Sequence, residues 1–293
     1  MVKQSRRWAA TGAAVILAVS AVTGCSSSND EPTPPDQSLR QALPANIRDA
    51  GTLTVGTSGP YAPLVFEQSG ELTGFDVEVV RAVAERLGLN AEFTQAPFAD
   101  LLPGVADGSF DSAARGMFAT LQRQQTVDQV TYYSAGTQWL GRAGADLDPN
   151  DACGKRIGAA EGTVQFTVEL PAKSAACTDT GSEAIEIIGF DDFDQAVDAL
   201  AKDPDQGGID GISADSPVVQ YAAKTSDGKF DTAGAPFDTE PYAIAVKKDS
   251  ALGPVVQKAV QQLIDDGELR KIAEKWGLEA GLIETSLLNG ALI

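Results

Sequence analysis

Histidine is absent from the 293 residues. That removes the usual zinc ligand, the side chain that most often serves as a general base near neutral pH, and any Ser-His triad. Carboxylates alone can still run some enzymes, so the absence shifts the expectation toward binding without deciding it. Cysteine is nearly as scarce, at three. Basic residues are outnumbered, 22 Lys and Arg against 41 Asp and Glu, for a net charge of −19. A surface of that sign repels phosphate backbones, and nucleic acid is not an expected partner. Long apolar runs are lacking too. The most apolar stretch, Ala13 to Val22, is too short to span a bilayer comfortably. No repeat of solenoid period is visible.

What that stretch does suit is the core of a signal peptide, because the cations Lys3, Arg6 and Arg7 precede it. It ends at Val22-Thr23-Gly24-Cys25, which resembles a bacterial lipobox: an aliphatic residue, two small residues, then cysteine. The resemblance implies that residues 1–24 are removed and that Cys25 is acylated, holding the protein on the outer face of the cell membrane. An ordinary secretory signal with an incidental cysteine is the alternative. Ser5-Arg6-Arg7 invites a twin-arginine route, but Trp8-Ala9-Ala10 departs from the rest of that motif. Ser26 to Asp36 has no apolar residue to bury, and residues 25–42 are expected to be a lipidated, disordered tether. Loss of the three leader cations takes the mature charge to about −22.

Two cysteines then remain, Cys153 and Cys177. Outside the membrane an even pair reads as a disulfide, with two buried free thiols as the alternative. Closing a loop of that length stabilises by about 3 kcal/mol in the chain-entropy model.

The rest of the chain, about 250 residues, is long enough for one large domain or two lobes with real cores. Leu53 to Gly56 reads as a strand. Asp76 stands at the N-cap of a helix whose apolar face is Val77, Val80, Val83, Ala84 and Leu87, closed by Gly88. A strand over 91–94, a short helix over 101–106, a strand over 110–114 and a helical turn from Thr120 follow. The pattern restarts at Arg156 with strands over 156–159, 184–190 and 208–212 and helices from Gly162, over 193–201 and over 216–223. A strand over 242–246 and two amphipathic helices, 252–265 and 268–276, end the chain. Alternation of this kind means α/β architecture, each unit a mostly parallel sheet flanked by helices. Ligands in such units gather where strand C-termini meet helix N-termini.

Several segments resemble, in order, the family 3 solute-binding proteins, the receptors of polar amino acid importers. They are Gly51-Thr52-Leu53-Thr54-Val55-Gly56, Tyr61-Ala62-Pro63, Leu72 to Val77, Leu101-Leu102-Pro103-Gly104-Val105, Gly108-Ser109-Phe110-Asp111, Thr120-Leu121-Gln122-Arg123, Asp215-Ser216-Pro217 and Gly267 to Gly277. Each is weak alone, and together they span nearly the whole mature chain. The resemblance implies a two-lobed periplasmic-binding-protein fold that closes on its ligand, with crossovers near 138–142 and 240–247. Residues 43–139 and 247–293 would form the first lobe, and 140–246 the second with the hinge strands. It also implies an amino acid-like ligand, a partner ABC permease with its ATPase subunits, and a monomer. No cofactor, metal or catalytic residue is expected. The alternative is an exported enzyme on the same scaffold, of the cyclohexadienyl dehydratase kind.

Carried over residue by residue, the resemblance makes Arg123 the two-pronged partner of the ligand carboxylate and Asp215 the acceptor of its ammonium. Gly116 offers a carbonyl to the same ammonium. Tyr61 and Phe98 match an aromatic pair that sandwiches the ligand. Thr163 and Val164 stand at a helix start whose free N–H groups favour an anion. Asp215 could equally be an N-cap, and Phe98 plain core. Three positions depart from the pattern. Phe118 replaces a hydroxyl residue, Ser58 stands where receptors of basic amino acids carry an acid, and Arg115 stands where they carry a small residue. Alternate strand residues face opposite ways, so Arg115 points either into the cleft or to solvent. In the first case the ligand carries an acidic or strongly accepting side group, against which Phe118 packs.

Overall fold

The computed structural model of the protein describes residues 34–291. The leader, the Cys25 acylation site and the first part of the expected tether lie outside the described residues. Two short helices come first, α1 (Gln37–Ala42) and α2 (Ala45–Ala50). The first corrects the expectation of disorder through residue 42. Asp36 caps α1 by accepting from the Ser38 and Leu39 amides, and Leu39 and Leu43 are buried. A single polar cap and two leucines are enough to end a Ser/Pro-rich lead-in sooner than its composition suggests.

β1 (Thr52–Thr57) is followed by a hairpin of β2 (Phe66–Gln68) and β3 (Glu71–Thr73). α3 (Phe75–Arg86) buries Val77, Val79, Val80 and Val83 at helical spacing. β4 (Asn90–Gln95) pairs in parallel with β1, and α4 (Phe98–Asp107) returns the chain to β5 (Ser112–Ala113) on the other side of β1. β6 (Val127–Arg142) then runs for 16 residues. A second unit follows: β7 (Arg156–Ala160), a π-turn over Gln165–Glu169 leading into α5 (Leu170–Asp179), β8 (Glu186–Phe190), α6 (Phe193–Leu200), β9 (Gly211–Asp215) and α7 (Ser216–Thr225). β10 (Phe230–Lys247) is the second long strand, at 18 residues, and α8 (Leu252–Asp265) and α9 (Glu268–Trp276) complete the helices.

All but the hairpin join one sheet in the order β4-β1-β5-β10-β6-β9-β7-β8. Parallel strands occupy each end, and the antiparallel pair β6 and β10 serves both halves. β10 pairs with β5 at Ala245 and Val246, while β6 pairs with β9 from Thr137 to Gly141. The ladder between the two long strands slips twice between Ala233 and Glu240, as bulges do where a strand is re-aimed. A Cβ on Gly136 would stand 2.7 Å from the Phe237 carbonyl oxygen, so only glycine permits the approach there. The hand-over between halves therefore lies near 134–137 and 233–241. The crossovers expected at 138–142 and 240–247 lie within the same two strands.

The C-terminal helices return to the first half. Arg86 Nη2 meets Asp266 Oδ2 at 2.6 Å, Gln262 Nε2 donates to Asp36 Oδ2, and Trp276 lies edge-on to Phe66. Both halves share in the largest apolar cluster, and the second half adds a small one around Trp139, Ile157, Leu170 and Ile185. Cys153 and Cys177 are bonded at its margin, with their Cα atoms 5.6 Å apart. Among the described residues no helix is long and apolar enough to cross a membrane.

Candidate functional site

The ends of β1, β5, β7 and β9 and the starts of α4 and α7 converge between the halves. Asp215 closes β9 and is the N-cap residue of α7, but its side chain makes no capping bond. It points inward instead, where Oδ1 accepts from Gln165 Nε2 at 2.8 Å, and Gln165 also donates to Thr137 Oγ1. Burial pushes the Asp215 carboxyl up, and the Arg115 charge, then the Tyr242, Tyr61 and Gln165 side chains, pull it down. Gly116 faces it across the cleft with φ +51°. A Cβ there would lie 2.6 Å from Leu64 Cδ1 and 3.2 Å from Asp215 Oδ2. The left-handed backbone favours glycine, and any side chain there would push Leu64 and Asp215 aside.

Arg123 opens a 3₁₀ turn just before β6. Its Nη1 donates to the Phe118 carbonyl at 2.8 Å and its Nη2 to the Gly162 carbonyl at 3.1 Å, so one guanidinium ties the first half to the second. Burial first, then repulsion from Arg115, holds it down at about 10, against the pull of Asp215. Phe98, first residue of α4, lies beneath both cations: its ring centre is 4.7 Å from the Arg115 guanidinium carbon and 5.4 Å from that of Arg123. Tyr61 covers Arg115 from the other side at 3.3 Å. Arg115 is only 2% exposed, so it faces the interior and not solvent.

Phe118 packs on Tyr242 at 5.0 Å between ring centres and borders an opening shared with Thr137, Val164 and Glu169. A second opening is edged by Arg123, Thr120, Gly162 and Val164. Ser58 and Phe98 edge a third, together with Glu161 and Asp192. Thr163 is buried with its hydroxyl donating to the Ala160 carbonyl, which fixes the turn before the π-turn. Of the nine residues proposed from the sequence, Phe98, Phe118, Arg123 and Val164 edge these openings, and Tyr61, Arg115, Thr163 and Asp215 are buried. Among the described residues no group of His, Cys, Asp and Glu has the arrangement of a metal site.

Two participants escaped the sequence reading. Asp76 is not the helix cap, since α3 starts at Phe75 with Gly74 as its cap residue. Its carboxylate is buried, accepting from the Gly116 amide and, at 2.7 Å, from the Tyr132 hydroxyl. Burial pushes it up to about 7. An acid in a first helical turn is ordinarily solvated, so nothing local marks this one. Gln165 is the other, a buried amide that orients Asp215 from within the π-turn.

The family model described as bacterial extracellular solute-binding proteins, family 3, matches residues 53–279. The chain is 32% identical over 262 residues to the arginine-binding protein ArgT of Corynebacterium glutamicum, covering 88% of this chain and 84% of that protein. Among solved structures, an ancestral arginine-binding protein bound to arginine superposes with a TM-score of 0.69 at 30% identity, covering 77% of this chain and 98% of that one. The amino acid ABC transporter substrate-binding protein AbpA of Streptococcus pneumoniae, bound to L-arginine, gives 0.67 at 26% identity over 78% of this chain and 96% of its own.

Proposed function

Because this chain belongs to the bacterial extracellular solute-binding proteins, family 3, we propose that it captures an amino acid or related small carboxylate between its two halves for an ABC permease and its ATPase subunits. The observation that carries the reading is that Arg123 and Asp215, within reach of each other's charge, stand beside Phe98 and Tyr61 respectively. A zwitterion needs a cation for its carboxylate and an anion for its ammonium once water leaves, and those two side chains supply them. Arg123 exchanges two backbone carbonyls for a carboxylate when ligand enters. Gly116 offers its carbonyl to the ammonium beside Asp215, and the backbone around Thr163 and Val164 faces the carboxylate. Phe118 closes the apolar side. The halves act as lobes hinged on β6 and β10, and ligand favours the closed state because only that state offers both contacts at once. Relatives named as binding proteins favour capture over the dehydratase alternative.

Thermal shift across the amino acids and small carboxylates tests the reading, since a ligand bound only by the native state raises the melting temperature. Arg123→Ala should weaken the preferred ligand by about thirtyfold or more, the equivalent of about 2–5 kcal/mol for leaving a buried charge unpaired. Equal affinity in that variant sinks the assignment. The protein is held at the membrane as a monomer by acylation of Cys25. Cys25→Ser should then leave it unprocessed or release it from the membrane fraction, and membrane retention with normal mature mass counts against the anchor.

A further inference from the structure

The aromatic slot of the cleft already contains a cation. Arg115 leaves the end of β5 and lies between Tyr61 and Phe98, its guanidinium carbon 3.3 Å and 4.7 Å from their ring centres. It is almost fully buried, its Nε has no hydrogen-bond partner, and it forms no ion pair with a described carboxylate. Two acids, Asp215 and Asp76, feel its charge without forming an ion pair with it, and each accepts its hydrogen bonds from other groups. Asp215 accepts from Gln165, and Asp76 accepts from Gly116 and Tyr132. Ser58 borders the neighbouring opening where it offers a hydroxyl and no charge. A buried guanidinium stacked on two π-faces, with an unpartnered Nε and no direct ion pair, can take a further anionic group.

We propose that Arg115 is the specificity-determining residue of this cleft, and that it selects a ligand with an acidic side group, an acidic amino acid or a dicarboxylate. This rests on reading the cleft as an amino acid site and adds the side-chain class to it. The ligand's main-chain charges go to Arg123 and Asp215, and its side carboxylate goes to Arg115. A cationic side chain entering the same slot meets a like charge with no acid at position 58 to offset it. Phe118, packed on Tyr242 at the edge of the cleft, is placed to cover the methylenes of such a ligand.

Calorimetry on the mature protein with L-glutamate, L-aspartate, succinate, L-glutamine and L-arginine tests this, using wild type, Arg115→Ala, Arg115→Lys and Arg123→Ala. Wild type should bind one of the acidic ligands at least about tenfold more tightly than arginine. Arg115→Ala should erase that preference, and Arg115→Lys, which keeps the charge, should retain part of it. Arginine bound as tightly as the acids by wild type overturns the inference even if no Arg115 variant folds. So does acidic-ligand affinity that is unchanged in Arg115→Ala. If arginine wins and Arg123→Ala still abolishes its binding, the cleft reading stands and only the role of Arg115 falls. If Arg123→Ala leaves binding intact, or wild type binds none of the five, the cleft reading fails and takes this inference with it.

Discussion

The two halves of the sheet share one large apolar cluster and differ in what is added to it. The cluster takes Val80, Leu87, Val256 and Leu263 from the first half and Phe193, Leu200, Ile212 and Val219 from the second. The second half adds a small cluster around Trp139 and Leu170, and there the chain carries its one disulfide among the described residues. A crosslink limits the unfolded ensemble in addition to that burial. Yet the halves share one unusual feature beside the cleft: each buries an acid. Asp76 lies in the first, and Glu169 in the second, held by Trp139 Nε1 and Ser213 Oγ with Lys173 nearby. Burial pushes each up to about 7. The crosslink is thus regional, whereas the proton dependence is common to both halves.

The largest test of this contrast is pH. Both acids hold a proton in the folded protein that the unfolded chain gives up above its ordinary value of about 4. Their stabilisation is complete below that value and is lost as pH rises through about 7. For Asp76 the loss is at most about 4 kcal/mol, at about 1.4 kcal/mol per unit. Asp76→Asn keeps an acceptor for Tyr132 and removes the titration, so its melting temperature relative to wild type should rise between about pH 5 and pH 8. A constant difference would contradict the buried-acid account. Next is Leu263→Ala, expected to cost about 2–5 kcal/mol by chemical denaturation, with hydrogen exchange accelerated first in α8 and in α3, which packs on it. Removing the disulfide with Cys153→Ser and Cys177→Ser should cost about 3 kcal/mol, with faster exchange concentrated in β7 and β8. Uniform acceleration in either variant would erase the distinction between halves. Least of all should be Lys275→Ala, which breaks an exposed pair with Glu78 of 2.7 Å and should cost below about 1 kcal/mol.

Much of this was legible from residue order, and the gaps have physical causes. Both C-terminal helices carry a clean amphipathic stripe between a start and a glycine or aspartate stop, and their bounds agree with the reading from sequence. β6 had no such signature. It is buried on both faces for nearly its whole length, so polar residues such as Gln129, Thr131 and Gln138 sit inside and the period-two alternation disappears. β10 was seen only in its apolar second half, because the exposed first half carries Gly234 and Pro236. Among the cleft residues, Arg123 and Asp215 were found because motifs flank them. The inward turn of Arg115 was open, since strand parity assigns a face only when the strand is long enough to reveal it, and β5 has two residues. Asp76 was misassigned because burial of an acid is a tertiary property.

The position of β10 has a consequence for how the chain reaches its native state. It is inserted between β5 and β6, pairing with residues about 100 positions earlier in the chain. The first half therefore lacks its central strand until the entire second half has been made, and contacts of such high sequence separation are slow to form. For the same reason a chain cut after α7 should leave β5 and β6 with open edges, prone to pairing between molecules and to aggregation.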